Sequence, residues 1–147
     1  MAATLIDDGY TRDGYIAAAT PEPNGERLHG DVTFKYRVAT KRDLIRHEAA
    51  VKKALTDDTD AEAKLKAEEI ACQFVVDRVS EWDVTTSKGQ AAKVSVDNLL
   101  RIHPLIFSSL YSMVRGWKTS DPRPKVDNPQ PELTDEEQVK NSEAVSG

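Results

Sequence analysis

The chain has 147 residues, 39% hydrophobic and 31% charged, which suits one modest core and excludes two. No stretch approaches the roughly 18 to 20 consecutive apolar residues of a membrane helix, and the first residues show no basic, apolar leader, so a secretory signal is not expected. Cys72 is the sole cysteine, which rules out an internal disulfide and points to a reducing interior such as the cytoplasm.

The net charge of −5 is unevenly placed. Residues 119–147 hold seven acids and three bases, a net of −4, so the rest of the chain is nearly neutral. A globally basic nucleic-acid footprint is therefore absent.

Residues 1–30 read as irregular. Asp8-Gly9-Tyr10 and Asp13-Gly14-Tyr15 are turn signals, and Pro21, Pro23 and Gly25 mark a loop. Residues 31–39 are the clearest strand, because Val32, Phe34, Tyr36 and Val38 alternate with Thr33, Lys35 and Arg37. Thr40 opens a helix with Asp43 in the capping-box position, and Leu44, Ile45, Val51 and Leu55 form its apolar stripe. Asp60 caps a second helix over about residues 61–80, carrying Leu65, Cys72, Val75, Val76, Val79 and Trp82 at helical spacing. The short gap predicts an antiparallel helical hairpin.

From Trp82 the period changes. Ser87-Lys88-Gly89 is a turn, and Gln90 to Val94 runs back, so a small β-hairpin is expected. Ser95 caps a short helix to Ile102, and Pro104 starts the most apolar helix, which ends near Gly116. Four prolines follow within residues 122–131, and apolar residues become sparse. Such a segment cannot offset the entropy of ordering itself. The expected organisation is an irregular segment 1–30, an α+β domain 31–117, mainly helical with a short antiparallel sheet, and a disordered acidic tail 118–147. Within that tail, Thr134 and Glu137 resemble a helix start.

Candidate chemistry is thin. His29, His47 and His103 lie far apart and form no metal-ligand spacing. Asp58, Asp60, Glu62 and Glu69 match acidic positions of a calcium loop, but Ala63 stands where its sharp turn needs glycine. Cys72 lies on an apolar helix face, where it acts as a small hydrophobe. No nucleophile elbow, phosphate-binding loop or H-E-x-x-H motif is present. No catalytic residue, metal or cofactor is expected.

Two surfaces remain. Lys41, Arg42, Arg46, Lys52 and Lys53 make the first helix basic. That pattern reads as a solvated helix face or, more sharply, as a surface for an acidic partner, with the chain's own tail one candidate ligand. Nucleic acid is not expected, because no aromatics interleave with these bases. Tyr111, Met113 and Trp117 end the last helix, where such residues are more often core than interface, but they also suit a helical partner.

The order of short motifs resembles a known family. Gly14-Tyr15-Ile16-Ala17, Leu28-His29-Gly30 and Phe34-x-Tyr36-Arg37 precede two helices. Ser80-Glu81-Trp82-Asp83-Val84-Thr85, the Gly89 turn, Val94-Ser95-Val96-Asp97-Asn98-Leu99 and His103-Pro104 lead to the last helix. Over residues 14–117 this resembles the tail assembly chaperone-like proteins of tailed phages and prophages. Thr85 or Thr86 stands where an acid is usual, and Asp97 near the usual Glu. The resemblance implies a non-enzymatic assembly role in the host or bacterial cytoplasm. Such proteins bind the tape-measure protein, keep it soluble and help recruit tail tube subunits. It carries over no catalytic residues. The alternatives are a structural virion component, such as a tail completion or connector protein, and a small enzyme or metal-binding domain.

Overall fold

Val32, Phe34 and Tyr36 all point to the same side of one strand, and all three are buried in the computed structural model. That strand, β2 (Val32–Tyr36), is the centre of a three-stranded antiparallel sheet. It pairs with β1 (Arg12–Ile16) on one side and β3 (Val79–Trp82) on the other. The structure describes residues 2–3, 5–6, 10–19, 28–57 and 60–124. The Asp8-Gly9 turn, the loop at residues 20–26, Asp58 and residues 125–147 of the expected tail lie outside the described residues.

Strand β1 corrects the expectation of an irregular segment 1–30. Tyr15 and Ile16 are buried, and an isolated bridge from Ala19 to His29 continues the β1–β2 pairing. Asp13-Gly14 looks like a turn in isolation, yet Gly14 pairs with Phe34 across the ladder. A Cβ at Gly14 would lie 2.5 and 2.9 Å from Phe34 ring atoms, so the missing side chain is the space the ring occupies.

Helix α1 (Lys41–Asp57) starts at Thr40, whose Oγ1 accepts from the Asp43 amide at 3.1 Å. Partial burial works against the Asp43 carboxylate, but hydrogen bonds from Arg78 and Thr40 hold it below the usual carboxylate range. Helix α2 (Ala61–Val76) is capped by Asp60, which accepts from the Ala63 amide at 3.0 Å. The two helices pack against each other, and the small residues Ala54, Ala63, Ala67 and Ala71 are buried. The expected α1 stripe is corrected here. Ile45 is 62% and Leu55 40% exposed, whereas His47 and Ala54 are buried. Leu65 on α2 is exposed as well.

The second helix was expected to reach Ser80, but it stops at Val76. Val75, Val76, Val79 and Trp82 keep helical spacing, yet β-branched side chains also suit a strand. The open side of β2 decides the matter: the Arg37 amide donates to Arg78 O at 2.9 Å, and the Asp83 amide to Thr33 O at 3.1 Å. The expected hairpin at residues 82–94 shrinks for the same reason. Of its first arm only Trp82 belongs to the main sheet, and a single Thr85–Ala91 bridge spans the turn at Gly89. Trp82 Nε1 donates to Ala92 O at 2.6 Å and holds the loop down.

Helix α3 (Val96–Arg101) is capped by Ser95, and α4 (Pro104–Val114) by His103, whose Nδ1 accepts from the Leu105 amide at 3.1 Å. α4 carries Ile106, Leu110, Met113 and Val114 into the core against Phe34, Tyr36 and Val75. It ends in a Schellman turn: the Gly116 amide donates to Met113 O and the Trp117 amide to Ser112 O. Gly116 has φ +81, and an added Cβ would sit 3.1 Å from Val38 Cγ1. Gly116→Ala is expected to cost about 1–2 kcal/mol, read as a shift in the urea midpoint at constant m-value.

The domain does not end at Trp117 as expected. The following residues run along the free edge of β1. The Tyr15 amide donates to Ser120 Oγ at 2.8 Å, the Asp121 amide to Tyr15 O at 2.9 Å, and the Ala17 amide to Asp121 Oδ2 at 2.9 Å. Lys118 pairs with Asp121 at 2.8 Å. An otherwise unpaired strand edge is thereby covered. The α+β class holds, and no helix among the described residues is long and apolar enough to cross a membrane.

Candidate partner-binding groove

α1, α2 and α4 pack their buried faces inward and leave a furrow between their outer shoulders. One recess of about 570 Å³ is lined by Val51, Leu55, Ala67, Ala71, Phe107 and Tyr111. A second, of about 440 Å³, shares Val51, Leu55 and Tyr111 and continues to His47, Arg115 and Trp117. Together they form one apolar groove with charges on its banks: Glu48 and Lys52 on α1, Lys64 and Glu68 on α2.

Its floor is an aromatic stack. The His47 ring lies on Phe74 with centroids 4.0 Å apart, and His47 Nε2 shares a hydrogen bond of 2.5 Å with the Tyr111 hydroxyl. Phe107 stacks on Tyr111 at 5.4 Å. The Arg115 guanidinium sits 3.7 Å from the ring centres of both Tyr111 and Trp117, so one cation joins the two aromatics. Burial lowers the pKa of His47, with Arg115 and Arg78 adding to the effect, and burial raises that of Tyr111. Both groups are therefore held neutral, and the floor stays apolar with its polar atoms paired.

The expected contact residues divide. Tyr111 and Trp117 line the groove, and Trp117 is 62% exposed. Met113 does not: it is fully buried in the core, because it stands two residues beyond Tyr111, about 200° around the helix. Lys41, Arg42 and Arg46 are exposed on α1, but none lines the groove. Sequence reasoning missed Val51 and Leu55, which it assigned to the α1 core stripe, and also Phe107, His47 and Arg115. The spacing of Tyr111 and Arg115, one helical turn apart, was the available signal for the cation–aromatic pair.

The other candidates resolve as follows. His29 and His103 do meet, with ring centroids 5.2 Å apart. His29 Nδ1 donates to Gly30 O and His103 Nδ1 caps α4, so each ring has a structural task. Among the described residues no group of three or more His, Cys, Asp or Glu is placed to hold a metal ion. Asp60 caps α2, and Glu62 and Glu69 are exposed on the helix. Cys72 is buried, and burial pushes its thiol up to about 11. Set against known protein families, curated proteins and solved structures, the chain matches none.

Proposed function

We propose that this protein is a non-enzymatic assembly factor of a tailed phage or prophage, a tail assembly chaperone that holds the helical tape-measure protein before tube subunits are recruited. One observation supports this most: the continuous apolar groove between α1, α2 and α4, with Leu55 and Trp117 exposed at its lips. A client helix lays its apolar stripe into such a groove through residues at i, i+3, i+4 and i+7. Banks of both signs, Glu48 with Lys52 and Lys64 with Glu68, suit a client flanked by mixed charge. Exposed aromatics beside an arginine are the side chains that dominate such contacts.

The test is co-expression with the tape-measure protein of the same genome. Leu55→Glu puts a charge on an exposed lip without touching the core. It is expected to weaken client binding by about tenfold or more, with Trp117→Ala weakening it to a similar extent. Unchanged binding by both variants, with near-ultraviolet circular dichroism intact, sinks the groove as the client site. Purified particles separate a chaperone from a structural component: the chaperone is absent from them, whereas a tail completion or connector protein stays.

A further inference from the structure

The outward face of α1 is a second surface, distinct from the groove. Arg42, Arg46, Ala49 and Lys53 follow at i, i+4, i+7 and i+11, so they stand on one line of the helix, and all four are exposed. Ile45, 62% exposed, lies beside that line, Lys41 flanks it, and Lys52 stands farther round, on the bank of the groove. Among the described residues, none of these five cations enters an ion pair. Of the α1 acids with described side chains, Asp43 pairs with Arg78 at 3.0 Å and Glu48 lines the groove. The result is a stripe of like charge with a bare isoleucine in it, and like charges at this spacing repel.

The missing counter-charge is in the same chain. Residues 125–147 carry Asp127, Glu132, Asp135, Glu136, Glu137 and Glu143 against Lys125 and Lys140, a net of −4. Leu133 lies among the acids. The chain up to Pro124 is tied to the β1 edge through Ser120 and Asp121. From there, residues 125–131 can span up to about 25 Å when extended. A domain of this size has a radius of gyration of ~13 Å, so Glu132 can reach faces up to about two such radii from Pro124.

We propose that residues 132–143 dock in cis on the outward face of α1, their carboxylates against Arg42, Arg46 and Lys53 and Leu133 over Ile45. Tethering supplies an effective concentration on the order of millimolar, so a weak contact suffices. Exposed ion pairs are screened by salt, which makes the docking reversible. The tail thereby shields the basic face from stray polyanions while the groove on the other flank of α1 stays open. This does not depend on what the groove holds.

The experiment uses the full chain with Gln138→Cys carrying a nitroxide. Cys72 is buried and stays unlabelled. At low salt the amide signals of Arg42, Arg46, Ala49 and Lys53 are expected to broaden. They recover at about 1 M salt, where the screening length is ~3 Å, and in the Arg42→Glu/Arg46→Glu/Lys53→Glu variant. Mixing nitroxide-bearing chains with separate isotope-labelled chains abolishes the broadening, as an intramolecular contact requires. The proposal is overturned by uniform or absent broadening, and by broadening centred on Leu55 and Tyr111. It is equally overturned if the effect persists in the mixed sample, which would make the occupant a second copy. Binding of polyglutamate or duplex DNA at α1 while the tail stays distant would assign the face to a partner in trans. None of these failures touches the client reading, whose test is Leu55→Glu.

Discussion

Gly14→Ala is expected to lower the unfolding midpoint by roughly 5–15 °C, the effect of about 1–3 kcal/mol of overpacking in a domain this size. The added methyl meets the Phe34 ring at 2.5 and 2.9 Å. Phe34 is 2% exposed and packed on Tyr36 with centroids 5.3 Å apart, so displacing the ring disturbs the core packing around it. The entropy that alanine removes from the unfolded chain offsets only about 0.4–1 kcal/mol. Gly30→Ala is the control, since a Cβ there would meet nothing within 4 Å, and it is expected to leave the midpoint nearly unchanged. Combining Gly14→Ala with Phe34→Leu tests the cause. If the clash is responsible, the double variant loses less than the two single losses added together. Thermal unfolding by circular dichroism reads the four variants against the parent protein.

His47→Ala is the second large effect, about 2–4 kcal/mol at neutral pH. It removes the stack on Phe74 and leaves the Tyr111 hydroxyl without the imidazole it bonds. The same residue makes stability depend on pH. Burial first, and then Arg115 and Arg78, lower its pKa in the fold, with Glu48 opposing weakly. Its contribution is therefore complete above about pH 6.5, the ordinary histidine value. It is lost as pH falls through the lower folded-state value, because the unfolded chain takes up the proton first. His47→Gln keeps a hydrogen-bonding group but does not titrate. Between about pH 7 and 5.5 its stability is expected to fall less steeply than that of the parent protein. His29 and His103 remain in both proteins, so the difference in slope belongs to His47. Equal slopes would mean that the burial of His47 carries no proton-linked stability.

Both effects sit at residues whose importance is a tertiary matter. Gly14 looks like half of an Asp-Gly turn until Phe34 is placed opposite it. His47 looks like one of three scattered histidines until α2 brings Phe74 beneath it and α4 brings Tyr111 to its edge. The groove was legible in part: Tyr111 and Trp117 were found from the apolar density of the last helix. Met113 was drawn in by the same density and belongs to the core. Apolar content marks that a helix is buried on some side, but the packing of its neighbours selects which shoulder remains open. The α1 stripe failed for a related reason. On α1 the buried positions are His47 and Ala54, and Ile45 and Leu55 stand outward.

Local physics was readable from the residues alone. The alternation of β2 marks a sheet covered on one side. The Thr40, Asp60, Ser95 and Pro104 starts and the Gly116 stop came out where expected, because caps and positive-φ turns are settled by the few residues that form them. The α+β class follows from those elements. Pairing was not readable. Strand β1 exists because β2 offers it a ladder and Phe34 fills the space above Gly14, and β3 exists because the other edge of β2 outcompeted one more turn of α2. The edge cover by Ser120 and Asp121 joins residues more than a hundred positions apart. Contacts of that span depend on where every intervening element packs, so the boundaries of the domain, the depth of Met113 and the course of the groove were decided by the tertiary structure.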